Sequence, residues 1–295
     1  MQKNHWKRKD FIRSISALGL LSALPPTTYA QPSALTVQQV IDLIIKTVPG
    51  APFKDTVDTI KSGDKDQLVT GIVTTMFATA ETIEKAAALN ANFIIAHEPT
   101  FYNHKDETNW LEKDEVYQYK SALLNKYKIA VWRFHDYMHT HRPDGVYMGL
   151  LDKLDWQKMA DAQKPANIKL ASTTLVDVIS HVKTKLGIAH LRFIGEKNQK
   201  IEKVLLIPGA AGGKYQISLA AAEKPDLLIV GELSEWETME YVRDLRSSGS
   251  KTALIILGHI SSEQAGMEWL VNWLAPKVNG IKVTYIPNTI PFDWE

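Results

Sequence analysis

The sequence predicts an α/β protein with mostly parallel sheets, built as a duplicated unit, and three observations predict it. First, short and almost wholly apolar runs recur along the chain: FIIA at 93–96, IAVWRF at 129–134, LLIV at 227–230 and ALIIL at 253–257. Such runs read as strands covered on both faces, as in parallel sheets. Second, they alternate with amphipathic helical stretches, the order that βαβ units produce. Third, several runs end in a histidine or glutamate rather than a hairpin turn, which is where open α/β sheets place their ligands. At 295 residues the chain exceeds the usual size of one core, so two domains or one large α/β unit are expected.

The start of the chain is a separate segment. Lys3, Lys7, Arg8, Lys9 and Arg13 form a basic region, and SISALGLLSAL at 14–24 is apolar but too short to span a membrane. Thr28-Tyr29-Ala30 precedes a cut before Gln31, so residues 1–30 read as a secretory signal peptide. Arg8-Lys9-Asp10-Phe11-Ile12-Arg13 has the form of a twin-arginine signal with lysine replacing one arginine, a start that Sec export also accepts. The expectation is an exported protein, periplasmic or extracellular, with no stable membrane insertion after cleavage. The leader carries five Lys/Arg and one Asp, so the +1 of the whole chain becomes −3 for residues 31–295, and nothing favours nucleic acid. With no cysteine, disulfides and thiolate metal sites are excluded, and any metal must be held by histidine and carboxylate.

Taking the chain in order, Thr36 and Gln39 form a capping box ahead of a helical stripe of Val37, Val40, Ile41 and Ile44. Residues 50–66 are polar and rich in turn formers, and read as a loop. A strand at 68–77, a helix at 81–89 and the strand at 92–96 follow. A second helix spans 114–127, then the strand at 129–134 leads into a histidine-rich loop, HDYMHTHRPDG, and a helix at 146–154. Residues 155–171 read as a polar connection. Helices at 175–186, 215–223, 235–246 and 263–274 then alternate with strands at 191–194, 204–207, 227–230, 253–257 and 281–286. Ser261 or Ser262 is expected to cap the helix that follows His259. GAAGG at 209–213 follows a strand but lacks the P-loop lysine, and reads as a tight strand-to-helix turn.

The two halves repeat each other. VTGIVTTMFATAETIEKAAALNANFIIAHEPTF aligns with EKVLLIPGAAGGKYQISLAAAEKPDLLIVGELSEW, and IAVWRFHDYMH with ALIILGHISSE. In this register His97-Glu98 matches Gly231-Glu232, and His135-x3-His139 matches His259-x3-Glu263. The expected organisation is a repeat at 31–155 and a second at 156–295, with a site at their interface. Spacings of four bring the paired side chains to one side of a helical turn. His97, Glu98, His135, His139, His259 and Glu263 are thus six nitrogen or oxygen ligands for Zn, Mn, Fe, Co or Ni, enough for two divalent transition metal ions with open positions. His104 and His141 lack the strand-end position and read as surface or supporting residues; His181 and His190 read as structural.

These motifs resemble the NIF-three-like family of dinuclear-metal proteins, often labelled GTP cyclohydrolase I type 2 homologues. IIAHEP stands for the family's strand followed by His-His-Pro, FHDYMH for His-x3-Asp, and LGHISSE for Gly-His-x3-Glu; GAAGG and GEL also match in position. The resemblance covers most of residues 31–295. It implies two intertwined α/β repeats, a hexameric ring of identical subunits, and His97, Glu98, His139, His259 and Glu263 as ligands, with His135 beside them. Two departures stand out: Glu98 replaces the family's second histidine, and His139 replaces its aspartate. Both can bind metal, so the ligand set is swapped rather than lost. The family's Asp-Asn-x-Gly-Leu stretch is not evident in DTVDTIKSGD, and the histidine many members carry after Gly-Glu-Leu is replaced near Trp236.

The function expected is a metal-dependent hydrolase acting on a small molecule through water held by two cations, with His135 as general acid or base. Glu232 is a weaker candidate for the pocket wall. The GTP label transfers poorly to an exported protein without a phosphate-binding signature. The alternative is a non-catalytic metal-binding or scaffold protein whose metals stabilise the assembly.

Overall fold

Five central strands are four residues long and buried along their whole length, as the apolar runs require. The computed structural model describes residues 34–295, which form one compact unit, and the signal-peptide expectation lies outside the described residues. Helix α1 (Val37–Ile45) opens it, with the Thr36–Gln39 capping box in place. Then come β1 (Ile60–Ser62), β2 (Ile72–Thr75), α2 (Ala80–Ala88), β3 (Phe93–Ala96), α3 (Glu115–Tyr127), β4 (Ala130–Arg133), α4 (Asp136–Thr140) and α5 (Gly145–Lys153). The remainder comprises β5 (Asn167–Thr174), α6 (Leu175–Leu186), β6 (Arg192–Ile194), β7 (Lys200–Ile207), α7 (Gly213–Glu223), β8 (Leu227–Val230), α8 (Glu240–Ser247), β9 (Ala253–Ile256), α9 (His259–Leu274) and β10 (Val283–Tyr285). A π-helical turn, Glu235–Met239, leads into α8.

The strands make two five-stranded sheets, ordered β1-β4-β3-β2-β10 and β5-β7-β8-β9-β6. In each, three central strands run parallel: β2, β3 and β4 in one, β7, β8 and β9 in the other. The edges differ. β1 pairs antiparallel with β4, and β5 and β6 pair antiparallel with β7 and β9, but β10 pairs parallel with β2. The last strand of the chain therefore completes the sheet begun by the first half, which is the intertwining in this α/β fold.

Alternation along the strands sorts the core onto two faces. Phe93 and Ile95 join Ile72 and Trp132 under α1 and the α9 residues Met267, Leu270 and Leu274, whereas Ile94 and Ala96 face Ile83, Ala86, Leu123 and Leu124. The second sheet repeats this, with Leu206, Leu227, Ile229 and Ile255 on one side and Leu205, Leu228, Val230 and Leu254 on the other. Helices α5 and α9 cross closely: a Cβ on Gly149 would lie 2.2 Å from the Ala265 carbonyl oxygen, so only glycine fits that contact.

Four local expectations are corrected. The 50–66 loop contains β1, and the 155–171 connection runs into β5; both are edge strands defined by backbone pairing, and their half-exposed, polar residues carry little apolar pattern. The histidine-rich loop contains helix α4. Its start has no cap from its own side chain; instead the Asp58 carboxylate accepts the amides of His135, Asp136 and Tyr137 at 2.9, 3.1 and 2.8 Å. Helix α9 begins at His259, not beyond Ser261 or Ser262; the Ser262 hydroxyl donates to the His259 carbonyl and accepts the Gly209 amide.

Candidate metal centre

The site forms where β3, β4 and β9 end. His97 and Glu98 follow β3, their amides still bonded to the Thr75 and Met76 carbonyls, so the sheet ladder fixes both. His135 and His139 lie at the start and on the first turn of α4, and His259 and Glu263 occupy the first turns of α9. All six residues named from the sequence meet. Two groups can each hold a metal ion, His97 with His135 and His139, and His97 with Glu98 and Glu263; within each, ligand atoms lie within 4.8 Å of one another.

His97 is common to both groups and is fully buried. Its Nδ1 lies 3.0 Å from the Phe134 carbonyl, a contact in which the ring nitrogen must donate, leaving Nε2 as the atom turned to the cluster. That Nε2 is buried without a hydrogen bond and stands 3.4 Å from a Glu263 oxygen. A buried ring nitrogen with its other nitrogen tied to a carbonyl is the arrangement of a metal-ligating histidine. His135 and His139 repeat it, with Nδ1 held by Asp136 at 2.9 Å and by Asp144 at 3.1 Å. The three rings stand 4.9–5.1 Å apart.

The carboxylates close the other side. His259 Nε2 lies 3.0 Å from Glu263 and 3.3 Å from Glu98, and its Nδ1 lies 3.3 Å from Glu232. Glu232, the weaker candidate from the sequence, thus orients the ring from behind. The two oxygens of Glu98 are divided: Oε1 faces His259 and, at 3.7 Å, His135, while Oε2 lies 3.3 Å from Arg133 Nη2. The Gly209 backbone supports Glu263 so closely that a Cβ there would fall 2.1 Å from its Oε1, and φ is +67°. This is the structural use of the GAAGG turn.

Electrostatics follow from this crowding. Burial opposes charge on His97, but the nearby carboxylates of Glu263, then Glu98, outweigh it and raise its pKa to about 9. His259 is raised further: burial is overcome by Glu232, Glu263 and Glu98. Against their own burial, Glu263 and Glu98 are held below the usual carboxylate range by hydrogen bonds and charge from His259 and His97. His135 goes the other way, to about 4, through burial and the charge on His97, with Asp136 opposing. The carboxylates thus favour protons on His97 and His259 while His135 stays a neutral imidazole, and a bound cation would take the place of those protons and leave the His97 Nε2 lone pair free to ligate.

Sequence reasoning passed over four residues that organise the site: Asp58, Arg133, Asp136 and Asp144. Arg133 is fully buried, donates from Nε to the His97 carbonyl at 3.2 Å and from Nη1 to the His104 carbonyl, and lies 3.7 Å from Asp106. Its signal was a charge closing an otherwise apolar strand. Asp58 lies in the stretch where the resemblance failed, and Asp144 caps α5 as it holds His139. His141 is not a surface residue: it is buried, with its ring edge-on to Trp269 and Trp273. His104 stands beside the His135 ring, 5.8 Å between centroids. His181 stacks on Trp156, a structural place.

Fold and site together define an α/β protein with a histidine–carboxylate cluster, able to hold metal, at the carboxyl ends of its parallel strands. The sequence profile of the family described as Duf34/NIF3 (NGG1p interacting factor 3) matches residues 35–291, and the chain belongs to this family. Among relatives, a GTP cyclohydrolase 1 type 2 homolog of Clostridium perfringens is 24% identical over 211 residues, 68% of this chain and 76% of that protein. One of Neisseria meningitidis is 25% identical over 253 residues, 83% and 95% of the two chains. Among solved structures, a hypothetical protein of Staphylococcus aureus superposes with a TM-score of 0.71 at 20% identity, covering 89% of this chain and all of its own. A Bacillus cereus protein related to NIF3 gives 0.71 at 15% identity, again over 89% of this chain and all of its own. These structures share the fold.

Proposed function

We propose that the protein binds two divalent transition metal ions per chain, Zn, Mn, Fe, Co or Ni, and is a metal-dependent hydrolase of a small molecule. The ligands in this reading are His97, Glu98, His139, His259 and Glu263. The observation that carries it is His97, whose buried Nε2 has no hydrogen bond while its Nδ1 is fixed by the Phe134 carbonyl. Nitrogen and carboxylate donors without thiolate suit these cations. When bound, such a pair supplies Lewis acidity and acidifies water toward neutral pH. The chain's own part is positioning and proton transfer. Asp136 fixes the His135 tautomer, leaving Nε2 to take a proton from a reacting group; Glu232 and Asp144 hold the His259 and His139 rings in aim. Arg133 keeps one Glu98 oxygen from turning away.

The same reading places the protein outside the cytoplasm, exported by its first 30 residues, as a homo-oligomer that the family resemblance makes a hexamer. Fractionation of cells and light scattering on the mature protein test those two parts.

The central test is metal content by mass spectrometry after native export, for the wild type, His259→Ala and Glu263→Gln. We expect about two transition metal ions per wild-type chain and loss of most of them in His259→Ala with the fold intact. No metal in the wild type would overturn the reading. If Glu263→Gln loses metal and oligomer together and no hydrolysis is found in the wild type, the metals act as a scaffold instead.

A further inference from the structure

A cleft of about 1160 Å³ opens beside the cluster, generous by the standard of small-molecule sites, which span roughly 300–1,000 Å³. Gly231, Glu232, Gly258 and His259 form its inner end, so it meets the site at the outer edge of His259. Ile188, Leu191, Leu233, Ile256, Leu257 and Ile260 lend it apolar lining. The chain's last segment supplies more, with Phe77 beside it: residues 288–294 all line the cleft, and Ile290, Phe292 and Trp294 are the large apolar ones among them.

Two features show that this segment is placed rather than loose. The Asn288 carboxamide accepts the Phe77 amide at 2.7 Å and donates to its carbonyl at 3.1 Å, and the Trp294 ring stacks on His190 with centroids 5.1 Å apart. Yet Ile290, Phe292 and Trp294 remain 39%, 72% and 54% exposed. A held segment that leaves three large apolar side chains to water, around one cleft, leaves apolar surface for an occupant to cover.

Charge narrows the occupant. Arg192 is the only lysine or arginine among the described residues lining the cleft, and Glu235 engages it. The acids there are Glu81, paired with Lys85 at 2.6 Å, Glu232, against His259, and Asp293. A phosphate on that body would meet no unpaired lysine or arginine in the cleft and would lie near carboxylates, whereas a neutral or cationic body would desolvate little charge.

We propose that this cleft binds the body of the substrate, and that this body is neutral or positively charged, with an aromatic or branched aliphatic portion and no phosphate of its own. This rests on the hydrolase reading for its chemistry, since the reacting group is what reaches His259 and the cluster. Binding of the body does not depend on turnover.

The experiment titrates the full mature protein, as purified with its metal, with four probes by calorimetry: 1-naphthylmethylamine, 1-naphthalenemethanol, 1-naphthoate and GTP. The amine and the alcohol are expected to bind at one site per chain, naphthoate about ten-fold more weakly, and GTP not measurably. The double variant Phe292→Ser/Trp294→Ser, whose side chains are exposed, is expected to weaken the two favoured probes about ten-fold with unchanged melting temperature and metal content. Naphthoate or GTP binding as tightly as the amine, or an unchanged affinity in the variant, would overturn the assignment. Metal is measured on the same samples, so a metal-free wild type that still binds the amine would end the hydrolase reading and leave the cleft assignment standing.

Discussion

At the scale of single residues, the site depends on polar groups that have one acceptable arrangement. Arg133 is the clearest. It is fully buried and divides its donors among Glu98, the His97 carbonyl and the His104 carbonyl. Its removal leaves a buried carboxylate without its counter-charge, the situation that makes broken internal pairs costly. Arg133→Met should therefore weaken metal binding about 10- to 100-fold, as loss of groups that orient ligands does, measured by competition against a chelator with circular dichroism confirming the fold. Lys120 makes a prediction about pH. It is buried, donates to the Thr100 carbonyl at 2.6 Å, and burial lowers its pKa to about 8 with Asp106 opposing. A base lowered in the folded state adds stability above its unfolded pKa, near 10.5, and that contribution disappears as pH falls through 8. Urea unfolding at pH 7 and pH 10 should show the wild type gaining on the order of 2 kcal/mol more than Lys120→Met over that interval; parallel pH profiles would refute it.

At the scale of elements, the helices that carry the ligands begin where the site needs them because other parts of the chain hold their first turns. Asp58 serves α4, and Gly209 packs against Glu263 on α9. The α5–α9 crossing then sets the distance between the helix that follows His139 and the helix that carries His259 and Glu263. Gly149 admits that crossing, since any side chain would enter the backbone of α9 at Ala265. Gly149→Val should push the helices apart and lower stability by about 3 kcal/mol, read from chemical denaturation, with metal content falling in parallel. A variant as stable as the wild type would show that the crossing can relax without reaching the site.

At the scale of the whole molecule, the two halves cannot be treated as independent. The face of the first sheet that carries Phe93, Ile95 and Trp132 is covered by Met267, Leu270 and Leu274 of α9, and its edge is completed by β10. Residues 31–155 alone would expose that apolar face and the unpaired edge of β2, an invitation to aggregate. Expressed alone, this half should give no cooperative thermal transition, and mixing it with residues 156–295 should restore one. A soluble, cooperatively melting first half would show that its core closes by itself.

Much of the fold was legible because burial on both faces writes itself into composition. FIIA, IAVWRF, LLIV and ALIIL read as covered strands, and the helices between them as the crossovers of a mostly parallel sheet. The six clustered residues were legible for a related reason: polar side chains that end apolar runs, or lie four apart beyond them, are brought to one edge of a sheet by regular geometry. Edge strands β1 and β5 and the start of α4 were not legible, because backbone pairing and a carboxylate from distant Asp58 define them, and neither leaves a local pattern. Tertiary structure alone decided the rest. It gave the last strand to the first sheet and put Arg133, Asp136 and Asp144 behind the ligands. It also laid Ile290, Phe292 and Trp294 along a cleft. Each is a contact between segments far apart or unpatterned in the chain, and only the packed whole brings such segments within reach of one another.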